Sequence, residues 1–404
     1  MKLHSWIALA AIVALNVAWG HAQDAIFQGN EARTGEFPEL RLHKQPVVLW
    51  KFAQQPLTGD WGGVLVAGGR VFVSDRGGGI YAVGASDGRL LWTRQEDKER
   101  RQEDKSYSEV PLVMGDIAYF GRRTGIAALS VLNGETVWSY DILHGASESS
   151  PLMIANVLIV CGCDGIVYGL DAQSGAEEWK QDVLSDAPPA PLGFDAKRGR
   201  YLGILARPKV AASDGKTLFQ PIFDQSRVVA LDCASGKPRW SFAAGGWIFA
   251  NPVATGGAVY IGTNDQHFYC LDKNSGKVLW KFKANGPIGV GAAVHDHAVY
   301  FGSRNGTFYR LAAKTGEKQW SFELACPVSC APLVTDDTVY LTGREGQLYA
   351  LQTSDGSLRW KMRPTPDSQI TGDLSTDGRH LFLKTKPNRA GAGEMAVFAI
   401  GPNE

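Results

Sequence analysis

The chain has 404 residues, 44% of them hydrophobic, with 41 basic side chains balanced by 41 acidic ones. That apolar fraction suits a folded protein, and the length alone allows two or three ordinary domains. Zero net charge excludes the basic stripe of a chain built for nucleic acid, so no nucleic-acid partner is expected.

Residues 1–22 read as a secretory signal peptide. Lys2 gives a positive start, Trp6 to Val17 is mostly apolar, and Gly20 and Ala22 place small residues at −3 and −1 before Gln23. The apolar run is short for a spanning helix, so cleavage and export to the periplasm or beyond are expected. No later segment is long and apolar enough to cross a bilayer. The first cysteine is Cys161, so no lipid-anchor cysteine is expected beside the cleavage site. Export makes disulfides permissible. Residues 23–45 are polar without periodicity and read as an N-terminal leader.

From residue 46 to 401 one sentence is written repeatedly: strand, small turn, strand, glycine, three residues, tryptophan. Val47 to Phe52 opens it as a strand carrying Trp50. Then Trp92, Trp138, Trp179, Trp240, Trp280, Trp320 and Trp360 follow Gly88, Gly134, Gly175, Gly236, Gly276, Gly316 and Gly356 by four residues each. The tryptophan spacings are 46, 41, 61, 40, 40 and 40. A period of about 40 with several strands per period marks a β-propeller. Each repeat holds a paired run such as Ala258-Val-Tyr-Ile and Phe268-Tyr-Cys-Leu, separated by a hairpin turn. Valine, tyrosine, phenylalanine and isoleucine dominate because such side chains fit a pleated, packed surface.

The last repeat is short of one strand. It supplies a strand near Ile370 to Leu374, then His380-Leu-Phe-Leu and Met395 to Ile400, and has no tryptophan of its own. The strand around Trp50 is the missing piece, and Pro46 stands where its glycine would be. Eight blades are therefore expected, with residues 47–52 completing the blade begun near 368 and leaving no large open edge. Seven blades and a loose first strand is the alternative. Two inserts interrupt the period. Arg94-Gln-Glu-Asp-Lys98 recurs as Arg101-Gln-Glu-Asp-Lys105 and reads as a solvated loop or short helix. Gln181 to Asp214 adds about 20 residues, with a basic group at Lys197, Arg198, Arg200, Arg207 and Lys209. Both fall on loops between blades, where binding residues concentrate.

V-Y-x-G followed by Y-A-L-D-x-x-S/T-G-x-x-x-W resembles the PQQ-like β-propeller repeat, over nearly all of residues 46–400. The resemblance implies that each tryptophan is a docking pin between neighbouring blades. An indole suits that task because it buries a large area and its N–H can find a carbonyl. Length, export and the eight-bladed plan resemble the non-enzymatic, BamB-like exported propellers. Quinoprotein alcohol dehydrogenases share the repeat, but their adjacent disulfide-linked cysteines have no counterpart among Cys161, Cys163, Cys233, Cys270, Cys326 and Cys330. The c-type haem motif C-x-x-C-H is absent from the sequence.

Candidate chemistry is sparse. The segments before the Pro-Leu/Val pairs, namely Ser106 to Pro111, Ser147 to Pro151, Phe249 to Pro252 and Pro327 to Pro332, mark the inner strands that line the channel. Their small residues let eight strands crowd one axis, and Glu109, Glu148 and Asn251 are candidate polar contacts to a ligand. Trp61 and Trp247 lie outside the repeat positions and are candidate stacking platforms for sugar or peptide. The cysteine spacings are not zinc signatures and read as disulfides or inert thiols. His295-Asp-His297 reads as a solvated hairpin turn. No catalytic or metal-binding residue is assigned. The expected function is a non-catalytic exported scaffold for a protein or peptide partner, in outer-membrane protein assembly or cell-envelope organisation. The alternatives are a PQQ-dependent dehydrogenase, needing PQQ and calcium, and a carbohydrate-binding propeller.

Overall fold

The computed structural model describes residues 29–30, 35–53, 63–74, 79–95, 110–122, 125–142, 150–162, 165–184, 194–195, 200–201, 211–223, 225–388, 391 and 393–403. Eight four-stranded antiparallel sheets form an eight-bladed β-propeller. Blades 1 to 7 occupy residues 64–95, 112–141, 152–182, 212–243, 253–283, 293–323 and 333–362. Blade 8 takes three strands from 368–401 and its outermost from Val47–Phe52.

Blade 5 shows how the sequence builds the unit. Its strands are Val253–Thr255, Ala258–Gly262, His267–Asp272 and Val278–Lys283. The two middle strands are buried on both faces, because each blade is packed between two others. The outermost strand alternates exposed and half-buried positions. Between the last two strands, Asp272 Oδ1 accepts from the Ser275 N–H at 2.8 Å and the Ser275 hydroxyl at 2.7 Å. Gly276 follows in the left-handed region at φ 69°, which only glycine adopts without cost. The pairing then slips by one residue between Cys270 and Leu271, a bulge that re-aims Trp280.

Trp280 points into the next blade. Its Nε1 donates to the Ala313 carbonyl at 3.0 Å, and a Cβ on Gly316 would lie 2.6 Å from its ring. Glycine is thus required twice at this position, for its φ of 72° and for the indole above it. The same seating recurs around the ring. Trp50, Trp92, Trp138, Trp240 and Trp320 donate to Ala85, Val131, Ala172, Lys273 and Thr353, at 2.8–3.0 Å. They lie over Gly88, Gly134, Gly175, Gly276 and Gly356. Trp179 covers Gly236, but its buried Nε1 has no partner. The core is therefore eight interblade layers; between blades 5 and 6, for example, Phe268 and Phe301 stack at 4.1 Å.

The ring closes within blade 8. Val47 pairs with Gly401, Val48 with Ile400 and Phe52 with Val397. Trp360, lacking a following turn of the usual kind, donates instead to the Leu42 carbonyl at 2.7 Å. That carbonyl belongs to the stretch read as a featureless leader. Residues 35–45 are a docked strap: Leu40 and Leu42 are buried between blades 7 and 8. Residues 1–28, with the expected signal peptide, lie outside the described residues, as does the insert around 96–109. Of the second insert's interior, only a short hairpin pairing 194–195 with 200–201 is described. Among the described residues no helix is long and apolar enough to cross a membrane.

Candidate functional site

The innermost strands of blades 1 to 7 are two to four residues long, which lets them converge on one axis. Their register fixes which residues meet there. Leu65, Leu112, Leu152, Val253, Ala293, Leu333 and Ser375 are equivalent, each opposite the interior position of the next strand. Two residues upstream of each stand Gly63, Val110, Ser150, Asn251, Gly291, Ala331 and Asp373. The Pro-Leu/Val segments thus do reach the axis, but as the extended entry to the inner strands; in blade 5 the strand begins only after Pro252.

Two of these axial residues bridge neighbouring blades. Ser150 Oγ accepts from the Val110 N–H at 3.1 Å, and Asp373 Oδ1 accepts from the Ala331 N–H at 2.6 Å. Each bond runs from one blade's axial backbone to the next blade's axial side chain. A pocket of about 260 Å³ opens here, lined by Gly63, Val110, Phe249, Asn251, Gly289, Val290, Gly291, Ser329, Gly372 and Asp373. Asn251 is nearly buried in it.

Around the pocket's mouth, on the face of the loops that lead into the inner strands, lies an aromatic cluster. Phe223 stands 4.4 Å from Phe249 and 5.5 Å from Trp247, centroid to centroid. Trp247 is 47% exposed, which is unusual for so large an apolar group. The Arg304 guanidinium lies over Phe249, 4.7 Å from the ring centroid. Burial, with a contribution from nearby Arg344, pulls the Arg304 pKa below its ordinary value. Asn264, Arg304 and Arg344 are spaced by 40 and held alike, their N–H groups bonded to the carbonyls of Trp247, Pro287 and Pro327 at 2.8–2.9 Å.

The opposite end of the inner strands is occupied by the strap. Val334 donates to the Gly35 carbonyl and Phe37 donates to the Val334 carbonyl, both at 2.8 Å, so the strap adds to the axial edge of blade 7. His295 Nδ1 lies 2.6 Å from Glu36 Oε1. The turn at Asp296 and His297 is a hairpin with both φ positive, but His295 is not solvated; it anchors the strap.

Of the candidate contacts, Trp247 and Asn251 share this mouth and pocket, while Trp61, Glu109 and Glu148 lie outside the described residues. Arg304, Arg344 and Phe249 were not singled out from sequence. The signal was present, since the two arginines repeat at the blade period, but charged loop residues normally read as solvated. Cys233, Cys270, Cys326 and Cys330 are free and buried, and Cys161 is buried against Gln220; Cys163 is outside the described residues. Burial pushes the Cys233 thiol up to about 11 and those of Cys270 and Cys330 up to about 12, which leaves these thiols unreactive. Among the described residues no three His, Cys, Asp or Glu side chains converge as metal ligands.

Comparison with known proteins agrees with this architecture. A family model described as "Outer membrane protein assembly factor BamB" matches residues 34–162, 163–288 and 268–386. The outer membrane protein assembly factor BamB of Xanthomonas campestris is 33% identical over 129 residues, covering 30% of this chain and 30% of that protein. The β-alanine-activating enzyme of Danio rerio is 28% identical over 125 residues, 31% of this chain and 10% of that protein. The chain thus spans well under half the length of either relative. Among solved structures, BamB from Moraxella catarrhalis superposes with a TM-score of 0.64 at 17% identity, covering 88% of this chain and 99% of that one. The quinohemoprotein alcohol dehydrogenase of Comamonas testosteroni gives 0.74 at 13% identity, covering 94% and 80%. Identities this low show a shared fold alone. The three family matches, running from residue 34 to 386, are more specific: this chain belongs to the family of PQQ-like propellers described as outer membrane protein assembly factor BamB.

Proposed function

We propose that the protein is an exported, non-catalytic scaffold that binds a protein or peptide partner during outer-membrane protein assembly. The observation that carries this reading is the family match over residues 34–386. The mouth supports it, because an exposed indole set among loop arginines is the composition of a protein-binding patch. A photoreactive residue at Trp247, activated in cells, should crosslink to a component of the assembly machinery. Deleting the gene should lower the outer-membrane content of β-barrel proteins. An unchanged β-barrel content, with no specific crosslink, would remove this reading.

The dehydrogenase fold likeness motivates a second reading. The described residues do not fit a quinone held over calcium. The pocket wall presents one carboxylate, Asp373, and its Oδ1 is already engaged by the Ala331 N–H. Dye reduction by an alcohol after addition of PQQ and calcium would reverse the preference.

A further inference from the structure

We propose that Arg304 and Arg344, with the wall formed by Phe223, Trp247 and Phe249, read a carboxylate on an extended acidic segment of the protein partner. This rests on the scaffold reading and names the chemistry the partner must present. Neither arginine forms an ion pair among the described residues, and Glu345, next in sequence to Arg344, pairs with neither. Two described acids beside the cluster, Asp265 near Gly246 and Asp373 on the pocket wall, are engaged elsewhere. Asp265 accepts from Thr263, His267 and Tyr269, and Asp373 accepts from Ala331. Among the described residues, the two cationic groups thus share one rim without a counter-charge.

Their placement is prepared rather than incidental. The two side chains leave equivalent loops on adjacent blades, each arginine pinned through its own N–H, to Pro287 and to Pro327. The Arg304 guanidinium carbon lies over the Phe249 ring at 4.7 Å, a contact that holds the group at the mouth. Gly289 makes room for it; a Cβ there would stand 2.7 Å from Arg304 Nε. An anion held between the pair would offset both the burial of Arg304 and the repulsion that Arg344 adds to it. Beside it, the half-exposed Trp247 offers an apolar face to the residue next to the acid. The pocket, at about 260 Å³, has room for a side chain of the segment. Asn251 and Ser329 on its wall can bond the segment's backbone.

Isothermal titration calorimetry of the full exported chain with the hexapeptide Gly-Glu-Phe-Glu-Phe-Gly and its glutamine counterpart tests this. The acidic peptide should bind at least about tenfold more tightly, the factor expected for a hydrogen bond to a charged group. Arg304→Gln with Arg344→Gln should abolish that preference, and Trp247→Ala should weaken both peptides. If the double variant fails to fold, Arg344→Gln alone should remove at least half of the preference, measured as free energy. Equal binding of the two peptides, no binding of either, or a preference that survives in a folded double variant would overturn the proposal. So would succinate binding as tightly as the acidic peptide, which would mark a site for small acids. Failure here leaves the cellular crosslink and β-barrel content untouched. Success here with no assembly partner captured would sink the scaffold reading and keep the site.

Discussion

At the scale of single residues, the ring is held by a repeated pair: an indole from one blade over a glycine of the next. Trp280 and Gly316 are a representative case, with one hydrogen bond to Ala313 and no room for a Cβ. Trp280→Ala removes a large, partly buried side chain and should cost up to about 3–5 kcal/mol. Gly316→Ala should cost about 1–3 kcal/mol, from the left-handed backbone and the clash together. The clash vanishes once the indole is gone, so the double variant should be less destabilised than the sum of the two. Denaturant unfolding of the four proteins measures this coupling. Strictly additive costs would show that the two residues do not act as one joint.

At the scale of elements, legibility followed periodicity. The blades could be read because tryptophan and the glycine four residues before it recur at a near-constant spacing, and each has a single physical use. Even the shared eighth blade was readable, because Trp50 kept the repeat while the last strands lacked a tryptophan. The strap could not be read this way. Leu40 and Leu42 occur once, their burial depends on a groove between blades 7 and 8, and no period announces it. The pocket was half legible: Asn251 and Trp247 stand out as a polar and an aromatic residue near the axis. Arg304 and Arg344 gain meaning only when adjacent blades bring residues 40 apart together. One further link joins elements distant in sequence. Lys51, on the closing strand, reaches Glu394 at 2.8 Å, beside the last strand of blade 8. This bond leads the causes that lower the Glu394 pKa from 4.5. A depressed carboxylate stabilises the fold above its unfolded pKa and loses that contribution as pH falls through its folded value. The closing strand should therefore loosen below about pH 4.5, modestly, because both groups are partly exposed. Melting temperatures of the parent and Glu394→Gln should differ near neutrality and converge in acid. A constant gap down to strongly acidic pH would show that the Lys51 bond contributes nothing.

At the scale of the whole molecule, the question is what keeps a ring of eight similar sheets from opening. All eight interblade joints are crossed by continuous chain, the eighth because Val47–Phe52 of blade 8 leads on to blade 1, and the ends meet only inside blade 8. There, five residues of Val47–Phe52 pair with Ala396–Gly401. Two of the five, Trp50 and Phe52, pack with Phe382, Val397 and the valines of blade 1. The strap adds Leu40, Leu42 and the acceptor for Trp360. A truncation series separates these contributions. Starting the chain at residue 35 keeps both strap and strand, and should leave the stability of the described ring unchanged. Starting at residue 46 strips the strap, leaving the Trp360 indole N–H buried without a partner and opening the groove that held the two leucines. That step should cost several kcal/mol, on the order of 2–5 for the leucines and 1–3 for the orphaned donor. Starting at residue 53 also removes Trp50 and bares the edge strand Ala396–Gly401. The added loss, about 3–5 kcal/mol for the indole alone, approaches the whole stability of an ordinary domain. An unpaired edge of that length also templates association with other chains. The third protein should therefore unfold or aggregate where the second still melts cooperatively. Scanning calorimetry with light scattering distinguishes the steps. Equal stability of the second and third proteins would mean that side-chain packing between blades, and not the borrowed strand, keeps the ring shut.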